Sequence, residues 1–316
     1  MQVRDRSADT LLSVCLDLGD GPDISPACLD SSVDVIFKRS LVGRSSRPSG
    51  KRVLPYGLVF ECRSGHEGLL LQHSLRSIQG LCPPADIQDI KLIGWTLKTT
   101  GRLVAGRWWN TKELPRRLAQ YEHHSDAPAE EAIFFQTRVW DPSLGSDPVD
   151  RQRVNGVRVQ TIRTLKRTFG KRFVGGLVPS RYAIATYPDC ITSWGSDNNQ
   201  YTAQLRRCAI AVSTTGLFGS VPFKIPEYLA AARAIVTEPL RVILPRQLRA
   251  EGEILTFATA SECVEQCDRL LAMPRLRNAL RRNAAEYYVH NVRPDSLLRG
   301  RFRDLRAEGP PQISRG

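Results

Sequence analysis

Short apolar runs alternate with segments of helical spacing along this chain, most cleanly in its second half. Residues 11–18 (LLSVCLDL), 33–37 (VDVIF) and 53–60 are predicted strands, the last broken by Pro55 and Gly57. A weaker strand is predicted at 90–97 and a helix over 111–124, with Leu114, Leu118 and Tyr121 on one side. A Ser/Arg/Pro/Gly loop at 43–50 and a polar, acidic linker at 124–131 separate these pieces.

From residue 132 the pattern sharpens. AIFFQTRVW reads as a strand, and 150–169 as a helix with Val154, Val157, Ile162, Leu165 and Phe169 on its apolar side. A short strand at 172–176 ends in Gly175-Gly176. Helices are predicted near 180–186 and 199–207, with a strand or turn near 189–192 between them. An apolar strand at 209–212 then runs into a Ser/Thr/Gly turn at 213–220. A helix bearing Lys224 and Glu227 near its start follows, and after it strands at 234–237 and 254–257. Amphipathic helices at 261–272 and 275–288 are parted by Pro274, and a last helix covers 296–305. Strands alternating with helices predict an α/β fold of parallel sheets covered on both faces. We expect two Rossmann-like domains: residues 1–148, shorter or incomplete, and 149–305. A disordered tail is expected at 306–316.

Composition narrows the picture. The chain has 316 residues, 41% hydrophobic and 24% charged, which suits a globular protein of about two domains. A net charge of +13 points to an anionic partner: nucleic acid, a membrane surface or an anionic substrate. Eight scattered cysteines form no CxxC pair, and several sit in apolar runs, as Cys15 and Cys208 do. The expectation is free thiols in a reducing, cytoplasmic setting. Cys263 and Cys267 lie one helical turn apart without a second pair to complete a zinc site. The charged N-terminus has no signal-peptide core, and no apolar run reaches membrane-spanning length. Membrane contact, if any, is expected to be peripheral.

Candidate chemistry follows from the strand ends. Ligands of open α/β sheets gather at the C-terminal ends of strands. Gly175 and Gly176, and Thr214, Thr215 and Gly216, end two predicted strands. Glycine lets a ligand approach the backbone, and hydroxyls with free N–H groups bind phosphate; the same residues also make ordinary turns. Lys224 can neutralise a diphosphate and Glu227 can accept a hydrogen bond from a ribose or sugar hydroxyl. At i,i+3 they equally make a surface ion pair, and spacing does not separate the two readings. Arg151, Arg153, Arg158, Arg163, Lys166, Arg167, Lys171 and Arg172 follow Asp150 with no acid among them. They make either a solvated face or an anion-binding one, and few aromatics are present to stack bases, so nucleic acid is the weaker partner. No Asp-x-Asp occurs. Gly50-Lys51 fails as a P-loop, with Ser45 where a glycine is required and Arg52 after the lysine. His66 is a weak candidate base, Asp34 another, and His123-His124 reads as surface.

From Phe173 onward the chain resembles the C-terminal half of GT-B glycosyltransferases of the bacterial group 1 type. The matching stretches are FVGG, LRRCAIAVSTTGLFGS, KIPEYLAAARAIVTEP, EILTF and LRNALRRNAAEYYVHNVRPDSLL. FQTRVWDP with the helix after it resembles the bridge between acceptor and donor domains. VDVIFKRS and VLPYGLVF resemble pieces of an acceptor domain. The resemblance implies transfer of a sugar from a nucleotide-sugar to a glycan or other hydroxyl acceptor, without a metal or other cofactor. It assigns Lys224 to the donor diphosphate and Glu227 to the ribose or sugar. Thr214, Thr215 and Gly216 fall beside the diphosphate, Gly175 and Gly176 at an interdomain cleft. Two departures stand out. Gly219 occupies the place of a second glutamate, and no glycine-rich first strand and loop precede Leu11. These fit a shortened member, a fragment, or a binding protein without transferase activity.

Overall fold

The computed structural model describes residues 2–5, 10–43, 51–62, 116–145 and 147–307. The predicted strand at 90–97, His66 and residues 111–115 of the predicted helix at 111–124 lie outside these residues; of the rest of that helix only Leu118–Tyr121 is helical. The chain forms two compact units, residues 1–60 with 123–316, and residues 61–122. In the smaller unit the helix α1 (Leu118–Tyr121) buries Tyr121, with the Arg116 guanidinium 5.5 Å from its ring centre.

The larger unit is α/β and holds two sheets. The first has the order β1 (Gln2–Asp5), β2 (Thr10–Asp17), β3 (Val35–Lys38), β4 (Arg52–Pro55). β2, β3 and β4 run parallel, while β1 pairs antiparallel with β2, Gln2 opposite Ser13. β1 falls in the charged N-terminus, where the hydropathy pattern predicts no strand. β4 ends at Pro55, where the predicted strand is broken, and Gly57 follows at φ +113°. One face of the sheet packs Val14, Val35, Phe37 and Tyr56 against Leu297 and Leu305. The other buries Cys28, Ile36, Leu41 and Val53.

The second sheet is wholly parallel: β5 (Glu130–Thr137), β6 (Phe173–Leu177), β7 (Cys208–Ser213), β8 (Ala234–Thr237) and β9 (Ile254–Thr256), in the order β6-β5-β7-β8-β9. Its helices are α2 (Pro148–Phe169), α3 (Arg181–Thr186), α4 (Asn198–Arg207), α5 (Lys224–Ala230), α6 (Ala260–Ala272) and α7 (Pro274–Tyr287). Their starts have local causes. Asp147, Ser180, Asp197 and Thr259 cap α2, α3, α4 and α6 by accepting first-turn N–H groups. β7 and β8 are buried at every position, as strands covered on both faces must be. The last helix, α8 (Pro294–Ala307), leaves this sheet and seals the first one through Leu297 and Leu305.

Three expectations need correction. The division at 148/149 cuts the wrong connection: β5, with Ala132–Thr137 buried, hydrogen-bonds to β6 on one side and β7 on the other. A buried central strand must pair its backbone along both edges, and β6 and β7 are the strands that do so. α8, placed with the second domain, packs on the first sheet. Cys15, expected as a free thiol, forms a disulfide with Cys28, thirteen residues on. The loop after β2 folds back through a short 3-10 turn at Pro26–Cys28, which brings the two together; no spacing motif announces it. This pair removes the cysteine-based ground for a reducing compartment. Cys190, Cys208, Cys263 and Cys267 are free and buried. Among the described residues no helix is long and apolar enough to cross a membrane.

Candidate donor site

The strand order reverses at β5, with β6 on one side and β7 on the other. The crevice at the C-terminal ends of β5 and β7 is therefore the topological switch point. There β7 runs out through Ser213 into Thr214 and Thr215, all three buried. Arg158, from the inward face of α2, fills the crevice. Its Nε donates to Thr214 Oγ1 (3.2 Å), Nη2 to the Thr215 carbonyl (3.1 Å) and Nη1 to the Arg138 carbonyl (2.7 Å). One guanidinium thus ties the end of β5 to the end of β7. Burial pulls its pKa down to about 10, with Glu238 opposing the shift, so it stays charged at neutral pH.

Glu238, just past β8, grips the same loop from the other side. Its Oε2 accepts from the Thr215 N–H (2.7 Å) and the Thr215 hydroxyl (3.0 Å). The Gly216 N–H donates to the Ser220 carbonyl (2.8 Å), and a Cβ at Gly216 would lie 2.4 Å from Ser220 Oγ. Phe218, at φ +59°, donates its N–H to Asp150 Oδ2 (2.7 Å) at the start of α2. The loop N–H groups expected to be open to phosphate are thus occupied at Thr215, Gly216 and Phe218. Gly219 stands at φ +70° with open space around a Cβ, a conformation unfavourable to a glutamate.

Lys224 and Glu227 open α5, which is only seven residues long. They meet across a third side chain that sequence reasoning missed, Tyr201 of α4. The Tyr201 hydroxyl donates to Glu227 Oε2, and Lys224 Nζ lies 4.6 Å from the centre of its ring. Tyr201 is itself fixed by Phe134 of β5, edge to face at 5.4 Å. Thr214, Thr215, Gly216, Lys224 and Glu227 thus all lie along the connection from β7 to α5, with Lys224 and Glu227 joined through Tyr201.

Gly175 and Gly176 are not part of this cluster. They sit inside β6, opposite Phe135 and Gln136. A Cβ on Gly175 would lie 2.0 Å from the Phe135 carbonyl oxygen, and one on Gly176 2.4 Å from that of Cys190. Close backbone packing accounts for both glycines. Asp34 lies before β3, at the N-terminal end of its strand, and accepts the Ser13 N–H at 2.7 Å. That is the end of the sheet away from where ligands gather. Lys51 donates to the carbonyls of Asp30 and Val33. His123 is half-buried, not a surface residue: its Nδ1 lies 2.9 Å from Nη2 of the fully buried Arg233. Burial and that guanidinium push its pKa down to about 4.

The basic stretch of α2 divides. Arg158 belongs to the buried face, whereas Arg153, Arg163, Lys166, Arg167, Lys171 and Arg172 are exposed. Tertiary structure supplies the acid the local sequence lacks: Asp189 accepts from Arg163 at 2.8 and 2.9 Å, and its carbonyl accepts from Lys166 at 3.0 Å. An open groove of about 410 Å³ crosses this outer face, along Gly156, Gln160, Arg163, Arg167 and Tyr187.

Comparison with known proteins bears on this site. None of the curated proteins compared with the chain matches it. Three solved structures resemble it at low identity. The C-terminal domain of a glycosyl transferase group 1 family protein (LpcC) from Francisella tularensis aligns at 13% identity and a TM-score of 0.37. That alignment covers 54% of this chain and 91% of the other. Sucrose-phosphate synthase from Thermosynechococcus elongatus aligns at 15% identity and a TM-score of 0.39, covering 72% of this chain and 64% of the synthase. Anabaena Alr3699/HepE in complex with UDP aligns at 8% identity and a TM-score of 0.40, covering 93% and 98%. The profile of a family described as glycosyl transferase-like matches residues 158–305. That span runs from Arg158 through Tyr201, Lys224, Glu227 and Glu238 to the closing helix. Over residues 158–305, a little under half of the chain, the sequence is thus similar to the glycosyl transferase-like family.

Proposed function

We propose that this chain binds a nucleotide-sugar at the β7–α5 connection and transfers its sugar to a hydroxyl acceptor such as a glycan. The observation that carries the reading is the Lys224–Tyr201–Glu227 cluster, beside the Thr214–Gly216 loop and inside the span matched by the family. The chemistry is electrostatic. As the glycosidic bond breaks, the electron pair leaves with the nucleoside diphosphate, and negative charge grows on its phosphate oxygens. A cation already in place stabilises that charge without reorganisation. Lys224 is the candidate for direct contact. Arg158, buried under Thr214 and Thr215, adds a fixed positive field beneath the loop. Glu227, oriented by the Tyr201 hydroxyl, accepts from a ribose or sugar hydroxyl. For the Thr215 N–H and hydroxyl to reach a phosphate, Glu238 must release them. The proposal assigns no metal or other cofactor, on the ground that no Asp-x-Asp pair is present to hold a metal-bound diphosphate.

The test is a thermal-shift panel of nucleoside diphosphates and nucleotide-sugars on the full chain, repeated on Lys224→Ala and Glu227→Gln. We expect stabilisation by one nucleotide class, lost in Lys224→Ala. No shift with any nucleotide at millimolar concentration sinks the reading. A second reading, a glycan-binding module without transferase activity, rests on Gly219, which leaves the turn without an acid at that position. It is distinguished by donor binding with neither hydrolysis nor transfer.

A further inference from the structure

The first sheet reaches the β7–α5 connection through Arg39. This residue follows β3 and is 5% exposed. Its Nη2 donates to the Val221 carbonyl at 2.6 Å, its Nη1 to Asp20, and its guanidinium lies 4.0 Å from the centre of the Phe223 ring. Val221, Pro222 and Phe223 immediately precede Lys224. Neighbouring carbonyls start α5: Pro222 accepts the Ile225 N–H at 3.2 Å and Phe223 the Glu227 N–H at 3.4 Å. Phe223, at the cap position, supplies no side-chain cap to α5. The arginine provides from outside the helix a tether that the local sequence lacks.

Arg39 is itself held firmly. Its backbone N–H donates to the Asp17 carbonyl at 2.9 Å. Beside it, Lys38 Nζ pairs with Asp17 Oδ1 at 3.1 Å, the two side chains only 1% and 3% exposed. Asp17 also accepts the N–H groups of Gly19 (3.0 Å) and Ser25 (2.7 Å). The segment carrying Asp17 and Asp20 is closed on itself by the Cys15–Cys28 disulfide. The void between Arg39, Gly57 and Pro222 is about 10 Å³, too small for any part of a substrate. The contacts of the Arg39 guanidinium are with protein groups, Val221, Asp20 and Phe223.

We propose that Arg39 is a positioning residue for the Lys224–Glu227 site. By holding Val221 and Phe223 it sets where the first turn of α5 begins, and so where the ammonium and the carboxylate point. The consequence for ligand binding rests on the proposed function; the effect on the segment does not. Both are measured on the full chain and on its Arg39→Ala and Arg39→Lys variants. Amide hydrogen exchange reports residues 221–227 directly. In Arg39→Ala we expect exchange there to rise about tenfold or more, while β7 and β8 stay protected, with Arg39→Lys in between. Unchanged exchange, or a rise spread evenly over the whole molecule, overturns the inference. Calorimetry with UDP, GDP and ADP reports the consequence. For whichever nucleotide binds, Arg39→Ala should weaken it about tenfold, or about 1.4 kcal/mol, with Arg39→Lys partly restored. If Lys224→Ala abolishes binding but both Arg39 variants bind as the wild type does, the inference fails and the donor site stands. If no nucleotide binds the wild type, the donor site fails, and exchange at 221–227 alone decides the role of Arg39.

Discussion

Replacing Arg158 with methionine tests the central strut of the site. The side chain makes three hydrogen bonds, to Thr214 Oγ1, the Thr215 carbonyl and the Arg138 carbonyl. Bonds to a charged group are worth about 1.5–3 kcal/mol each, so their gross contribution is about 5–9 kcal/mol. Burial opposes this. A pKa drawn down from 12.5 to about 10 corresponds to a penalty of order 3 kcal/mol on the charged form. The net value is therefore about 2–5 kcal/mol, consistent with losses on breaking buried charged networks. Methionine fills the space, yet leaves both carbonyls without this donor and removes the positive charge that Glu238 opposes. At about 2–4 °C per kcal/mol for larger domains, the thermal midpoint should fall by roughly 4–20 °C at pH 7. Arg158→Lys should recover only part of that, because one ammonium cannot span three acceptors. Circular dichroism melts of the three proteins suffice. A fall below about 2 °C in Arg158→Met, or a lysine variant as stable as the wild type, refutes the strut. A double-mutant cycle with Glu238→Gln should show coupling across Thr214 and Thr215, and strict additivity would contradict it.

Three further outcomes are expected. Gly175→Ala should cost about 3 kcal/mol or more, since its Cβ would lie 2.0 Å from the Phe135 carbonyl oxygen. Gly156→Ala, where nothing lies within 4 Å, should gain roughly 0.5–1 kcal/mol; urea midpoints compare the two. His123 binds its proton less readily in the folded chain, with a pKa of about 4 against an unperturbed 6.5. Its contribution is complete above pH 6.5 and is lost as pH falls towards 4, because the unfolded chain takes up the proton first. For a half-exposed ring this amounts to about 1 kcal/mol after allowing for solvent screening, and His123→Asn should flatten the urea midpoint between pH 5 and 7. Cys15→Ser should destabilise by about 2–4 kcal/mol, as for other loops of this length. The change should appear first as faster exchange in β2 and β3, and a midpoint within error of the wild type would discount the bond.

Most of the second sheet was legible in the sequence because its signals are local. β7 and β8 are unbroken apolar runs, and Asp147, Ser180, Asp197 and Thr259 mark helix starts within a residue or two of the predictions. Lys224 and Glu227 stand out for the same reason, being close in sequence and at the head of a helix. The first sheet was harder. β1 is polar and charged, and it forms because β2 offers it an edge, not because its own residues favour a strand.

What the sequence by itself determined is the elements of the second sheet, the α/β alternation, and the family resemblance from Phe173 onward. Spacing alone could not say whether Lys224 and Glu227 were a surface ion pair or a site. The tertiary structure added what spacing could not, a third side chain from another helix, Tyr201, that contacts both. It also moved β5 to the second sheet and α8 to the first, and turned Arg158 from a member of a basic stretch into the strut of the Thr214–Thr215 loop. Gly175 and Gly176 gained a packing reason for being glycine, the close approach of the Phe135 and Cys190 carbonyls. In each case the deciding partner lies far along the chain, as Arg39 does from Val221 and Arg158 from Thr214. Hydropathy and spacing report what a residue does to its own segment. They carry no information about which distant carbonyl, carboxylate or ring the fold will set against it.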